Sequence, residues 1–298
     1  MANASPSTGQ SSTGQYYVPH GSHWPIIGSI GLTLTMVGAG RLLNETGGAG
    51  SQVLMFGGLA IVIFMLFGWF GAVIKESLSG LYNNQVDVSF RMGMVWFIAS
   101  EVMFFAVFFG ALFYAREFSI PWLGGVGDKA ATHAFLWPAF EAAWPTAGPA
   151  ELGGAFKTIP TWGLPLLNTL LLLTSGLTIT LAHWALVQGR RAPLCWWLAA
   201  TIALGSVFLY FQAYEYHHAY TDLNLTLQSG IYGSTFFLLT GFHGLHVTLG
   251  AIMLAVILVR CMKGHFSRDN HFGFEAVAWY WHFVDVVWLG LFVFVYVI

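Results

Sequence analysis

The stretch LPLLNTLLLLTSGLTITLAHWALV, from Leu164 to Val187, decides the class of fold. It contains no Asp, Glu, Lys or Arg, and it exceeds the roughly 20 apolar residues that a helix needs to cross a bilayer. Similar runs recur along the chain and predict an all-α integral membrane protein with seven transmembrane helices. The predicted spans are Trp24–Leu43, Val53–Ile74, Met92–Tyr114, Leu164–Val187, Leu194–Tyr214, Ile231–Arg260 and Ala276–Ile298.

The composition of the whole chain supports this class. Of 298 residues, 56% are hydrophobic and only 8% are charged, against roughly 25% in an ordinary soluble domain. So few charges cannot cover the surface of a soluble globule. The net charge of −2 argues against nucleic-acid binding, and the apolar content argues against disorder for most of the chain.

The segments outside the spans have simple interpretations. Residues 1–22 are rich in Ser, Thr, Gly and Gln and lack the pattern of a signal peptide, so we expect a flexible cytoplasmic tail ahead of one domain over residues 23–298. Residues 115–163 form a long outer loop, which we expect to fold over the membrane surface with short helical pieces. Cys195 and Cys261 are too few for a disulfide framework, and we interpret them as reduced packing thiols.

Lysine and arginine are distributed unequally between the two sides of the predicted membrane. They are more frequent on the side that contains the N-terminus, which predicts a cytoplasmic N-terminus and an outer C-terminus. The polar inner segment from Lys75 to Arg91 is the predicted hinge between two groups of helices.

Glu101 is the first candidate for a functional residue, because ionisable groups inside a bilayer are costly to bury. It follows Arg91 by ten residues, which places it about 15 Å deep, close to the middle of the membrane. Desolvation at that depth favours a neutral carboxyl group. Glu101 is therefore either a proton-exchanging group or polar contact between helices, or a protonated carboxyl group bonded to a nearby hydroxyl.

The last span carries a polar stripe. Glu275, Trp279, His282 and either Asp285 or Val286 fall on one helical face, which we expect to point toward protein rather than lipid. His282 and Asp285 are spaced to pair at i,i+3. A structural network between helices and a proton path are the two interpretations of this stripe.

Two histidines on the sixth span form another candidate group. His243 and His246 occur at i,i+3 in GFHGLHV, and with Glu101, His282 and Asp285 they have the chemistry of a metal site. The simpler interpretation is packing and hydrogen bonding, because the neighbouring glycines allow close helix approach.

Three other histidines lie near the ends of spans. We expect His183 to form hydrogen bonds at the membrane interface. His217 and His218 follow the fifth span beside Glu215, and we expect them to be solvated, with cation binding as the alternative.

Several classes of protein are excluded by missing patterns. The spans contain no lysine for a retinal Schiff base and no widely spaced histidine pair for stacked haems. A dinucleotide fingerprint, a phosphate loop and an HExxH motif are also absent. The residues alone therefore indicate a membrane protein with a buried carboxylate, and they do not identify its function.

Four long segments resemble subunit III of cytochrome c oxidase, in the haem–copper oxidase superfamily. They are SFRMGMVWFIASEVMFF (Ser89–Phe105), LPLLNTLLLLTSGLTITLAH (Leu164–His183), YGSTFFLLTGFHGLHV (Tyr232–Val247) and HFGFEAVAWYWHFVDVVWL (His271–Leu289). HWPIIGS and IKES also fit the family, so the resemblance extends from about His23 to the end of the chain.

The resemblance implies both a fold and a function. Helices 1–2 and helices 3–7 would form two groups in a V, with phospholipid in the cleft. The complex transfers electrons from cytochrome c to oxygen and pumps protons, whereas subunit III carries no haem or copper of its own. Its implied role is to pack on subunit I, near subunit II and possibly a small subunit IV, where it supports proton uptake, limits inactivation during turnover and helps oxygen to reach the active site.

Individual residues match the family's motifs. Glu101 matches its intramembrane glutamate, Glu76 the acid of its I-[RK]-E-S motif near lipid headgroups, and Arg91 a basic residue placed to pair with a lipid phosphate. Trp69 is a further expected lipid contact. This chain departs from the family pattern near these contacts, at Phe70, Lys75, Asn83 and Asn84.

The long outer loop is typical of bacterial members, so we expect a multi-pass protein of the bacterial inner (plasma) membrane that binds structural phospholipids. The equivalent subunit of a quinol oxidase is the main alternative, although such subunits commonly lack the first two helices. Two alternatives come from other classes: a proton- or ion-coupled transporter that uses Glu101 and Asp285, and a self-contained metalloenzyme.

Overall fold

The structure is a computed structural model that describes residues 16–19, 21–44, 48–151 and 153–298. The described residues are mainly helical and contain no β-strand. Seven helices are long and apolar enough to cross a membrane, which confirms the predicted all-α class and the number of spans. Most of the predicted N-terminal tail lies outside the described residues.

The helices are labelled in chain order. They are α1 (Trp24–Leu43), α2 (Gly48–Leu78), α3 (Asn84–Tyr114), α4 (Ile120–Leu123), α5 (Ala130–Leu136), α6 (Leu164–Val187), α7 (Arg191–Asp222), α8 (Gly230–Met262) and α9 (Phe272–Leu291). Both α1 and α6 begin with a proline in the first turn, where its missing N–H costs no helical hydrogen bond.

Several helices are longer than the predicted spans. The third begins at Asn84 rather than Met92, and the fifth continues to Asp222 rather than ending at Tyr214. A helix keeps its backbone hydrogen bonds after it leaves the hydrocarbon, so polar residues beyond the apolar run extend it. The predicted polar loop after Lys75 is consequently reduced to a short connection between α2 and α3.

The described chain divides into two compact units between Phe90 and Arg91. The boundary falls at the end of the segment predicted as a hinge. In the first unit, α1 and α2 pack along each other through small residues, with Trp24 lying over Gly68. The cleft that the family resemblance implies stays a prediction.

The second unit has a continuous apolar core between α6, α7, α8 and α9. Trp281 and Trp288 of α9 are its largest fully buried side chains. The indole N–H of Trp281 donates to Ser175 Oγ at 2.9 Å, and that of Trp288 donates to Thr169 Oγ1 at 2.9 Å. These bonds fix α9 to α6 while the rings fill the centre of the unit.

Trp281 occupies space that two glycines leave open. A Cβ atom would lie 2.6 Å from its ring at Gly205 of α7 and 2.8 Å from its ring at Gly250 of α8. Both distances are shorter than van der Waals contact, so these positions accept glycine because the indole ring lies against their backbone.

The segment that follows α3 continues as a π-helical turn, Ala115–Ser119, and then contains the short helices α4 and α5. Its later part packs on the second unit. Phe156 stacks on Tyr232 with ring centroids 5.3 Å apart, and the backbone N–H of Lys157 donates to Leu223 O at 2.9 Å. The Asn224 side chain donates to two carbonyls of the same segment.

Candidate functional site

The predicted intramembrane glutamate forms a pair with a predicted histidine. Oε2 of Glu101 on α3 lies 2.8 Å from Nε2 of His246 on α8. The other ring nitrogen of His246, Nδ1, lies 2.6 Å from the carbonyl oxygen of Phe242. Since a carbonyl oxygen only accepts, Nδ1 carries a hydrogen and donates it to Phe242.

This geometry fixes how many protons the pair holds. With Nδ1 protonated, the short contact between Nε2 and Oε2 needs one more proton, because neither atom otherwise has a hydrogen to donate. The proton lies either on His246, which gives an ion pair, or on Glu101, which gives a neutral pair. Glu101 and His246 therefore share one proton and carry no net charge together in both forms.

Aromatic rings surround the shared proton. The rings of Phe104 and Phe105 have centroids 5.9 and 5.0 Å from that of His246. The Tyr280 ring lies parallel to the imidazole at 6.3 Å. The His246 side chain is 11% exposed and that of Glu101 is 21% exposed, and such a largely apolar environment strengthens the hydrogen bond between them.

His243 lies elsewhere in the core of the second unit. It is fully buried, and its Nε2 donates to the carbonyl oxygen of Val284 at 3.2 Å. Its ring packs against Phe208 and Trp288. The predicted metal set of His243 and His246 with Glu101, His282 and Asp285 does not come together among the described residues.

The polar stripe of α9 is only partly turned inward. Asp285 is buried, whereas Val286 is exposed, which resolves the alternative between them. The predicted i,i+3 pair is present only at the outer limit of an ion pair, since His282 Nδ1 lies 4.0 Å from Asp285 Oδ2, beyond hydrogen-bond distance. His282 instead has Thr180 as its nearest polar neighbour, with Nε2 3.4 Å from Oγ1. Trp279 is half-buried.

Glu275 is the centre of a second polar cluster in the same unit. Its Oε2 pairs with Arg91 Nη2 at 2.5 Å. Its Oε1 faces two histidines, with His183 Nε2 at 3.7 Å and His271 Nε2 at 3.5 Å. His271 Nδ1 donates to the carbonyl oxygen of Ser267 at 3.0 Å, so Nε2 is the ring nitrogen that faces Glu275.

This Glu275 cluster is the only group of three potential metal ligands found among the described residues. The ligand atoms of His183, His271 and Glu275 all lie within 4.8 Å of one another. Two histidines and one carboxylate are a ligand set that Zn²⁺ accepts. Arg91 already neutralises the carboxylate, however, and a proton on either histidine satisfies the same lone pairs.

The sequence did not indicate this cluster. His271 received no role, and Arg91 was assigned to lipid alone. The available signal was the spacing of His271 and Glu275 at i,i+4 across the start of α9. The contribution of His183 arises only from the packing of α6 on α9.

Another buried carboxylate was also missed. Glu215 is 1% exposed and accepts a 2.6 Å hydrogen bond from the hydroxyl of Tyr296. The sequence placed it beside solvated histidines at the end of a span. His217 is indeed exposed, and the partly exposed His218 pairs with Asp222 at 2.7 Å, but α7 turns Glu215 toward the core.

The lipid residues predicted on α2 lie in the first unit. Glu76 accepts a 2.7 Å hydrogen bond from the hydroxyl of Tyr82. Burial, and then the hydrogen bond to Glu76, raise the pKa of Tyr82 above its ordinary value. Trp69 is about half exposed and stacks on Phe70 with ring centroids 6.0 Å apart.

The fold and these contacts define a multi-pass helical membrane protein whose buried carboxylates are paired with histidine, arginine and tyrosine. Comparison with known proteins identifies its family. The family model described as Cytochrome c oxidase subunit III matches residues 14–298. The chain therefore belongs to the cytochrome c oxidase subunit III family, within the haem–copper oxidase superfamily, as the sequence motifs indicated.

Individual relatives agree with this assignment over almost their whole length. A protein of Arabidopsis thaliana named cytochrome c oxidase subunit 3 is 39% identical over 282 residues, which cover 94% of this chain and 95% of the relative. A protein of Hippopotamus amphibius with the same name is 40% identical over 285 residues, which cover 95% and 97%. Membership in this family also makes the chain a component of an oxidase complex.

Proposed function

We propose that this chain is the non-catalytic subunit III of a proton-pumping cytochrome c oxidase and packs on subunit I, near subunit II and a small subunit IV. The match to the family over residues 14–298 is the observation that carries the proposal. The presence of both α1 and α2 favours a cytochrome c oxidase over a quinol oxidase, whose equivalent subunit commonly lacks them.

The Glu101–His246 pair supplies the physical basis for a role in proton uptake. A proton that moves between Nε2 and Oε2 leaves the total charge of the pair unchanged, so the pair avoids the cost of an uncompensated charge inside a membrane. Such a pair steadies the electrostatic environment of the neighbouring catalytic subunit. Loss of the chain would then affect how long the oxidase remains active more than whether it begins to react.

Phospholipid binding by Trp69, Glu76 and Arg91 is the second part of the proposal. The exposed indole of Trp69 suits an interfacial position. The carboxylate of Glu76, hydrogen-bonded to Tyr82, can accept from an ammonium headgroup. Arg91 reaches phosphate only where its pairing with Glu275 leaves donors directed outward.

We further propose that haem and copper are held by the partner subunits and not by this chain. In support, His246 uses both ring nitrogens in contacts with Phe242 and Glu101, and His243 is buried against Val284. The proposed location is a bacterial plasma membrane with the N-terminus in the cytoplasm, in agreement with the lysine and arginine asymmetry.

The experiment that tests this function is deletion of the gene for this chain, followed by purification of the oxidase that remains. We expect haem and copper contents equal to those of the intact complex, initial oxygen reduction that is still measurable, and faster loss of activity during turnover. Re-expression of the chain is the control. Loss of haem or copper from an otherwise assembled subunit I would contradict the proposal, as would an unchanged inactivation rate.

A further inference from the structure

At one end of the second unit, an arginine from each of two turns donates a hydrogen bond to the backbone of the other turn. Arg191, at the start of α7, donates through Nε to the carbonyl oxygen of Cys261 at 3.1 Å, near the end of α8. Arg268, in the α8–α9 connection, donates through Nη2 to the carbonyl oxygen of Gln188 at 2.6 Å, just after α6. Each guanidinium group therefore caps the C-terminal end of a helix on the other turn.

A glycine accommodates each of these guanidinium groups. Gly189 and Gly264 have φ values of +72° and +73°, in the left-handed region that favours glycine. A Cβ atom at Gly189 would lie 2.9 Å from the Arg268 guanidinium group, and one at Gly264 would overlap that of Arg191. The two arginines are thus held against the backbone in fixed positions, which reduces the entropy that they lose on binding a ligand.

The arginines line a cavity of about 390 Å³ together with Arg190. Leu186, Leu194 and Phe266 contribute apolar walls, and neither Asp nor Glu lines it. Within the part of the chain that the structure describes, none of the three arginines pairs with a carboxylate. A guanidinium group has five N–H donors, so each retains donors beyond its single backbone bond.

The surroundings of the cavity place it at the level of lipid headgroups. Trp184 lies one turn before the end of α6 and is 61% exposed, and Trp196 lies in the second turn of α7 and is 77% exposed. Exposed tryptophans near the ends of transmembrane helices mark the membrane–water interface. A basic pocket between helices at this level is typical of sites for anionic lipid headgroups.

We propose that Arg190, Arg191 and Arg268 form a binding site for the phosphate group of an anionic phospholipid. The planar guanidinium groups bind phosphate oxygens through paired N–H donors. The acyl chains would extend along the apolar surface of α7 beside Trp196. The site shares no residue with the lipid contacts proposed above at Trp69, Glu76 and Arg91.

The test uses the purified oxidase complex that contains this chain, stripped of loosely bound lipid. It is titrated with phosphatidylglycerol and, for comparison, with phosphatidylcholine, and native mass spectrometry counts the retained lipid. Arg190→Gln is the principal variant, because the Arg190 side chain forms no hydrogen bond or ion pair within the described residues. Lys157→Gln removes one exposed positive charge from the loop before α6 and is the matched control.

We expect the wild-type complex to retain one more phosphatidylglycerol than the variants at equal lipid concentration. Each arginine near a membrane surface contributes about 1 kcal/mol, so Arg190→Gln should weaken this binding about fivefold and Arg190→Gln with Arg268→Gln about 25-fold. Arg268→Lys keeps the positive charge but loses the paired N–H donors of the guanidinium group, and should give a smaller loss of affinity than Arg268→Gln. Lys157→Gln and phosphatidylcholine binding should show no change.

Several outcomes would overturn the proposal. Equal affinity for both lipids, or equal retention by wild type and Arg190→Gln, would show that the cavity does not recognise an anionic headgroup. Displacement of the lipid by excess inorganic phosphate would assign the cavity to a free anion. A carbodiimide cross-link from an Arg190→Lys variant to a carboxylate of another subunit would assign it to an acidic protein segment.

Discussion

Tyr296 donates its hydroxyl hydrogen to Glu215 across 2.6 Å, and both side chains are buried. Glu215 lies on α7, whereas Tyr296 lies 81 positions later, in the π-helical segment Phe292–Val297 that follows α9. The bond therefore connects the C-terminal segment to the core through a carboxyl group that has no other hydrogen-bond donor within the described residues.

Tyr296→Phe should destabilise the attachment of the C-terminal segment by about 1–3 kcal/mol, because it leaves the buried Glu215 carboxyl group without its donor. The measurement is the temperature at which this subunit dissociates from the purified complex. Tyr214→Phe is the control, because it makes the same change at an exposed position of α7, next to Glu215. Equal dissociation temperatures for the two variants would show that the bond contributes nothing.

Glu101→Gln should leave assembly of the complex largely intact. The amide can donate to Nε2 of His246, so the hydrogen bond survives without the shared proton. Glu101→Ala should lower the stability of the subunit by about 1–3 kcal/mol, because it leaves Nε2 without a partner. Subunit content after purification checks both variants. Complete loss of the subunit in Glu101→Gln would refute the prediction.

Arg91→Gln should reduce stability by about 1 kcal/mol or less, since the pair with Glu275 is only partly buried and water screens it. Arg91→Lys should retain part of this contribution because it keeps the charge. The difference between Arg91→Gln and wild type should shrink as salt concentration rises. Thermal dissociation at low and high ionic strength measures it, and a difference independent of salt would indicate a packing effect instead.

Gly250→Ala should destabilise the second unit, because a Cβ atom at this position would lie 2.8 Å from the Trp281 ring. Overpacking of this kind typically costs about 1–3 kcal/mol. Adding Trp281→Phe should offset part of the loss, since the smaller ring leaves room for the methyl group. We therefore expect a double-mutant cycle to show a coupling energy between positions 250 and 281. Strictly additive effects would show that the ring and the glycine do not meet.

The sequence alone predicted the membrane-spanning helices but not the contacts between them. Hydropathy is a local property, so all seven spans could be predicted from the sequence. The partner of Glu101, His246, lies on another helix 145 positions away, and the sequence grouped these two residues only as members of a larger candidate metal set, not as a pair. Glu215 was given no role for the same reason, because its burial depends on Tyr296 and on a helix that continues beyond its apolar residues.

The position of Trp281 and Trp288 has a consequence for biogenesis. These two side chains complete the centre of the second unit, yet they belong to α9, which is synthesised after the six other membrane-spanning helices of the described chain. Until α9 has entered the bilayer, the earlier helices expose Ser175 and Thr169 without their indole donors. A chain truncated before α9 therefore lacks the two side chains that fill the centre of the second unit, and we expect it to be less stable in the membrane than the full chain.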